Sequence, residues 1–445
     1  MSDAPVTLNS VPATAAPPVS GAPAGRRLAW LDALRGIAAL FVVFDHVGYH
    51  VLQHLREVVY QVFDPGLYGV FVFFMVSGYI VPASLERKGS VRAFWVSRVF
   101  RLYPLYLFAL VVAVILWKLG IGGVGRTNGD AETAGLTHVL MLSNVLGIHN
   151  AINVIWTLSY EMAFYLLLTA LFVTGTHKRS SIYALVFGIG AVVLGGVLPM
   201  TALSKSFLGT RLLAEIADLL IIGGVALAVT RFRLPKILGG LLAGGTAMVL
   251  VCCNSVWVNP FEALTILALM FTGTMLFRAE RGDFPQGRAI AVAVVVFVLA
   301  AVAGMWHVPA WDVAHAAQFD RQWVTSLALA GLTFAVGMAC RNKRMPSALA
   351  WLGLVSYSVY LLHPLLVEVY HRIPATRHPH PFPVQVLLAA AFVAVLLGCC
   401  ALSYRFVEAP MQRQGRKVTA WLEHWFGPDT VPEPVRQRAM EPAGR

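Results

Sequence analysis

Apolar stretches close to the roughly 20 residues needed to cross a bilayer recur along most of this chain. They run from LAWLDALRGIAALFVVFDHVGYH near its start to VLLAAAFVAVLLGCCALSYRF near its end. Short segments rich in Arg/Lys or Pro/Gly separate them. With 58% apolar and 13% charged residues, 445 residues hold too few polar groups to coat a water-soluble globule. The pattern therefore predicts an all-α fold, a polytopic transmembrane helix bundle. Candidate spans cover residues 28–50, 66–85, 102–120, 154–176, 181–200, 211–230, 237–257, 261–277, 289–306, 323–340, 350–370 and 384–406. One hairpin within 237–340 could be re-entrant, so 10–12 spans are expected.

Charge sets the expected orientation. If the N-terminus lies inside, the inner loops hold 18 basic residues before the C-terminal tail and the outer loops hold 8. That bias favours both termini on the cytoplasmic side of the cell membrane. The net charge of +12 is spread over alternate loops, so it reads as topology and not as a nucleic-acid footprint. Three regions follow. Residues 1–25, rich in Ala and Pro, read as a disordered cytoplasmic tail. Residues 26–410 form the membrane domain, and residues 411–445 a cytoplasmic tail with an interfacial segment around Trp421–Trp425. The five cysteines lie in or beside apolar runs without metal-ligand spacing. They read as packing residues, and no metal is expected.

Ionisable side chains inside a span cost several kcal/mol unless paired or facing a cavity, which makes them functional candidates. The first span carries Asp32, Arg35, Asp45 and His46. Arg35 and His46 are eleven residues apart, within about 20° of three full turns and about 16 Å apart along the axis. A site using both must be elongated, with Arg35 near one mouth. His46 suits general-base work, and Asp45 could tune it. Its alternatives are a bond to helix backbone or exposure at the span's outer end. In ERKGSVRAFWVSRVFRLYP, Arg98 and Arg101 share one side of a helix. They could grip phosphates bidentately or anchor to lipid headgroups.

Four further clusters stand out. Glu161 lies in WTLSYEMAFY with Trp156, Ser159 and Tyr165 about one turn away, and it needs an arginine or histidine partner. Ser77-Gly78-Tyr79 interrupts an aromatic run, where packing of small residues is one reading and a site the other. His363 precedes Pro364 near the outer end of its span, as a helix cap or a catalytic group. Arg405 and Glu408, three apart in YRFVEAP, suggest a local ion pair.

Together and in this order, these blocks resemble the acyltransferase-3 family, membrane proteins that O-acylate carbohydrates and other hydroxyl-bearing acceptors. The matching stretches are Leu31–His46 with its Arg-x10-His spacing, Gly69–Ile80, and Phe94–Tyr106 with Arg-x-x-Arg-x-x-Pro. Trp156–Tyr165, Leu352–Pro364 and Tyr404–Pro410 complete the set. The resemblance implies that His46 is catalytic, with Arg35 as its partner arginine on the donor or tunnel side. It assigns Arg98 and Arg101 to an acyl-CoA donor, acetyl-CoA by family frequency. Trp156 and Glu161 match its Trp-Ser-Leu-x-x-Glu block, with Thr157 in place of the Ser. Glu161 and Asp45 are accordingly expected beside His46 in catalysis, and Ser77, Tyr79, Trp156, Ser159, Tyr165 and His363 along the acceptor tunnel.

No cofactor is expected to be permanently bound. The expected partners are membrane lipid, acyl-CoA and a carbohydrate or glycosylated small molecule. Many relatives carry an added extracytoplasmic hydrolase-like domain, and in this chain none is expected. The competing class is a proton-coupled secondary transporter, which also places Asp, Arg, His and Glu inside a bundle.

Overall fold

The caps that the sequence offers are used as written. Asp64 accepts from the Leu67 amide at 2.8 Å and Pro65 follows at the first helical position. Ser90 accepts from Ala93 at 3.0 Å, and Asn259 with Glu262 forms a capping box ahead of Pro260. Between such caps the apolar runs are continuous helix in the computed structural model. It describes residues 29–122, 131–309, 312–373, 380–427 and 429, with backbone alone at 206 and 207. The expected N-terminal tail, 1–25, and the last residues, 430–445, lie outside the described residues.

The helices in chain order are α1 (Ala29–Gly48), α2 (Gln53–Tyr60), α3 (Pro65–Lys88), α4 (Val91–Lys118), α5 (Ala131–Val139), α6 (Trp156–Val173), α7 (Ser180–Leu194) and α8 (Thr210–Ala228). They continue as α9 (Arg233–Cys253), α10 (Pro260–Glu280), α11 (Gln286–Trp306), α12 (Ala316–Ala339), α13 (Ser347–Leu354), α14 (Ser356–Tyr370), α15 (Phe382–Ser403) and α16 (Ala409–Phe426). Each of the twelve expected spans falls on one of these helices or on the α13–α14 pair. Among the described residues eight helices are long and apolar enough to cross a membrane, and α13 with α14 qualifies as a ninth span bent by 67°. α1 and α8 approach span length but carry Asp32, Arg35 and Asp45, and Arg211, Glu215 and Asp218. α7 has 15 residues. The chain is an all-α, multi-pass membrane protein.

Three local expectations change. The stretch with Arg98 and Arg101, expected to lead into a span from residue 102, is already helix from Val91, and Pro104 lies inside it. Residues 411–426 do not leave the bundle as a polar tail. A π-turn at Tyr404–Glu408 carries α15 into α16, and Gly415 comes so close to Phe100 of α4 that a Cβ would stand 2.7 Å from it. Arg405 and Glu408 do not pair. The π-turn leaves Arg405 over the Phe406 ring, while buried Glu408 accepts from Ser358.

Small residues set the tightest helix contacts, as expected where lipid supplies no hydrophobic drive between helices. A Cβ on Gly78 of α3 would lie 1.9 Å from the Met270 carbonyl oxygen of α10, and one on Gly273 would lie 2.3 Å from that of Met75. Thr274 ties the same crossing by donating to the Gly78 carbonyl at 2.8 Å. Overpacking costs about 1–3 kcal/mol or more. Gly78→Ala should therefore lower the thermal midpoint of the detergent-solubilised protein, whereas Gly245→Ala, with nothing within 4 Å, should not.

Candidate active site

Five helices converge near the middle of the bundle. Arg35 from α1, Ser77 from α3, Arg101 from α4, Glu161 from α6 and Tyr357 and Tyr360 from α14 wall an enclosed cavity of about 40 Å³, room for one or two waters. The 3.6-residue period explains the register. Thr157 and Glu161 are one turn apart on α6, and Phe73 and Ser77 one turn apart on α3, so one face of each helix lines the cavity. Glu161 meets hydroxyls instead of the expected cation. Tyr165 donates to it from one turn along, and Ser77 donates at 3.3 Å. Arg35 and Arg101 share the cavity without forming an ion pair to Glu161 among the described residues. The Arg35 guanidinium lies 5.9 Å from the Phe73 ring centre.

Arg101 also lines a second, larger space. A cleft of about 1160 Å³ opens at the end of the bundle where α3 finishes and α4 begins, and its walls include Arg87, Lys88, Arg98, Arg101, Arg281 and Arg416. Arg98 is 5% exposed and held between the rings of Phe94 and Tyr165, each 5.3 Å from its guanidinium carbon. Its Nε has no hydrogen-bond partner. A cleft so rich in cations, with one buried guanidinium incompletely satisfied, suits a polyanion.

Toward the opposite end, His46 faces into the bundle. Its ring meets that of His363 edge-on, with centres 5.0 Å apart. Nδ1 of His46 lies 2.9 Å from the Val42 carbonyl, and Nδ1 of His363 lies 2.9 Å from that of Val359. A carbonyl can only accept, so both Nδ1 atoms carry a proton, and in the neutral form of each ring Nε2 presents a lone pair. Nε2 of His363 is buried without a partner. Sequence had suggested backbone bonding as the alternative to catalysis for His46, but the backbone bond is what frees its other nitrogen. His363, offered as an interfacial cap, is 0% exposed.

His46 is not itself a wall of the central cavity. The link between them is aromatic: Tyr360, a wall residue, stands 6.1 Å from His363 and 5.7 Å from Phe73, centre to centre. The Tyr360 hydroxyl lies 2.8 Å from Thr157 Oγ1 and donates to the Val154 carbonyl at 2.9 Å. Asp45 points elsewhere. Tyr60 donates to it and Arg56 pairs with it at 3.3 Å, while its distance to His46 Nδ1 is 3.9 Å. Nearby, burial and then the Asp45 charge push the Asp64 carboxyl up to about 7. The same surroundings push the Tyr60 phenol up, keeping it a donor.

The other expected residues divide. Ser77 lines the central cavity, Tyr79 lines the basic cleft, and Tyr165 braces Glu161 and Arg98. Trp156 packs edge-on against Tyr160. Ser159, fully buried, donates at 2.9 Å to the carbonyl of Met141, whose φ of 59° bends the chain before α6. Ser159→Ala should thus cost about 1 kcal/mol of stability and leave turnover within about threefold. A thermal melt and initial rates check both. Sequence reasoning passed over Thr157, Tyr357 and Tyr360 as wall residues. The alternation in SYSVY was the available signal, but a helix carries no period of two, so it looked like ordinary span sequence.

Comparison with known proteins bears on the family. A family model described as an acyltransferase domain matches residues 28–404. A Bacillus subtilis protein named "Putative peptidoglycan O-acetyltransferase" is 25% identical over 88% of this chain and 56% of its own length. A Staphylococcus aureus protein named "Putative O-acetyltransferase" is 22% identical over 92% of this chain and 61% of its own. The acyltransferase MdmB of Streptomyces mycarofaciens is 31% identical over a shorter stretch, 32% of this chain and 38% of that protein. The chain thus spans about three-fifths of the length of the first two relatives. No solved structure matches. The chain belongs to the acyltransferase-3 family.

Proposed function

We propose that the protein is a membrane O-acyltransferase that carries an acyl group, acetyl in the first instance, from acyl-CoA to a hydroxyl of a carbohydrate or sugar-bearing acceptor. The relatives named as O-acetyltransferases support the acetyl group, and the peptidoglycan named for one of them supports a carbohydrate acceptor. The basic cleft faces the cytoplasm, where CoA thioesters are made and where the positive-inside bias puts both termini. Arg98 and Arg101 bind the CoA phosphates there. Arg101 and Arg35 continue the path inward, so the pantetheine arm follows the arginines through the central cavity by displacing its water and turning the rings of Phe73 and Tyr360 aside.

The chemistry needs one base. Nε2 of His46 takes the proton of the acceptor hydroxyl as that oxygen attacks the thioester carbonyl. The C–S bond breaks, and the CoA thiolate leaves with the proton returned from the imidazolium. His363 Nε2, unsatisfied in the resting protein, accepts from a second hydroxyl of the acceptor and so holds the reacting one on line. Glu161, between Arg35 and Arg101 in the cavity, balances their charge while the donor is absent. The observation that carries this reading is the pair of Nδ1-anchored imidazoles, linked through Tyr360 to a cavity that shares Arg101 with the basic cleft.

The test is consumption of labelled acetyl-CoA by membranes carrying the chain, followed by mass analysis of cell glycans and metabolites. Loss of thioester with an acetyl group gained by an acceptor is expected. Intact acetyl-CoA alongside movement of a solute would put the chain among transporters instead.

A further inference from the structure

A third cavity, of about 420 Å³, lies at the end of the bundle opposite the basic cleft. Its walls come from the end of α4, the segment before α6, the residues after α9, and α14 just beyond His363. Asn144, His149, Asn150, Asn153, Trp257 and Glu368 supply its polar and aromatic surface, and no Lys or Arg occurs among its described wall residues. Where the basic cleft suits an anion, this one offers amides, an imidazole and a carboxylate beside an indole. That set matches a polyol, whose hydroxyls need both donors and acceptors and whose C–H face packs on an aromatic ring.

Asn144 makes the site specific. It is 1% exposed and its Nδ2 is spent on Tyr160 and Ser255, both at 3.2 Å. Its Oδ1 is buried with no partner. An acceptor left unsatisfied just behind the surface of a wall residue gains a partner when that wall gives way to an O–H or N–H donor entering the cavity. The elements that wall this cavity also lead to the imidazole pair. Asn150–Asn153 wall it while Thr157 and Leu158, on the same stretch, wall the central cavity. On α14, Tyr360 belongs to the central cavity and Pro364 and Leu365 to this one, with His363 between them.

We propose that this cavity is the acceptor subsite, which holds a neutral sugar so that one hydroxyl points toward His363 and His46. Its place as acceptor subsite rests on the transferase reading above, but sugar binding can be measured without any turnover. The full chain in a polymer belt free of sugar headgroups is titrated with N-acetylglucosamine, glucose and rhamnose, and binding is read by saturation-transfer NMR. At least one of the three should bind wild type and His46→Ala alike. Ala151→Trp, which fills the cavity from its wall, should weaken that binding at least tenfold while leaving acetyl-CoA affinity unchanged. Trp257, 55% exposed, gives a second variant, and Trp257→Ala should also weaken binding should the bulkier substitution fail to fold. Unchanged sugar affinity in these variants, or no binding of any of the three sugars to wild type, overturns the proposal. Turnover surviving in His46→Ala would instead overturn the transfer mechanism and leave the subsite standing.

Discussion

Replacing His46 by alanine is expected to slow acyl transfer by about 100-fold or more, with affinity for acetyl-CoA unchanged. A positioned general base contributes about 10²–10⁴-fold, and an acceptor hydroxyl is a poor nucleophile without one. The substitution spares the fold, because the His46 ring bonds only to the carbonyl one turn back on its own helix and is 27% exposed. It spares donor binding because no residue of α1 is among the described walls of the basic cleft. His46→Gln should be equally inactive, since an amide cannot take the proton. His363→Ala should slow transfer as well, and the double variant should be no slower than His46→Ala, because the two rings act as one unit. Single-turnover rates with labelled acetyl-CoA, beside equilibrium binding of CoA, measure both quantities.

Arg101→Ala is expected to raise the KM for acetyl-CoA by about 30-fold, with a smaller effect on kcat. A charge-assisted bidentate bond to a phosphate is worth about 2 kcal/mol, which corresponds to that factor. Arg101 is the residue that the cleft and the central cavity share, so its loss affects donor capture and entry together. Arg101→Lys should recover only part of the affinity, because an ammonium lacks the planar fork. Arg98→Ala should weaken the donor too, but it also removes a cation from between the Phe94 and Tyr165 rings. A lower melting temperature should accompany that variant and not Arg101→Ala. Rising salt should erode the difference between wild type and Arg101→Ala, as screening of exposed charges requires.

The places of the apolar helices were legible in the sequence because bilayer length and apolar runs leave little freedom, whereas the short α2 and α5 and the polar α16 were not. The first turn of α4 was not, since VRAFWVSR mixes charge with aromatics and reads as a loop until Ser90 is seen capping it. Arg35 and His46 could be placed on one face of α1 by counting residues. Their neighbours could not, because no rule of spacing brings His363, over 300 residues away, against His46. Glu161 was recognised as a group in need of a partner, but its partner was expected to be cationic. Hydroxyls from Tyr165 and Ser77 serve instead, a substitution that only the packing of α3 on α6 reveals. Asp45 drew attention by adjacency to His46. Consecutive residues on a helix diverge by about 100°, and Asp45 turns to Arg56 and Tyr60.

The most direct measurement uses sealed vesicles in which all copies of the chain share one orientation. Labelled acetyl-CoA is supplied to one face at a time. Thioester should be consumed when the donor meets the face bearing Arg98 and Arg101, and be untouched when it meets the face bearing Trp257 and Glu368. Consumption from the Trp257 face, or equal consumption from both, would contradict an acyl path running from the basic cleft to the two imidazoles.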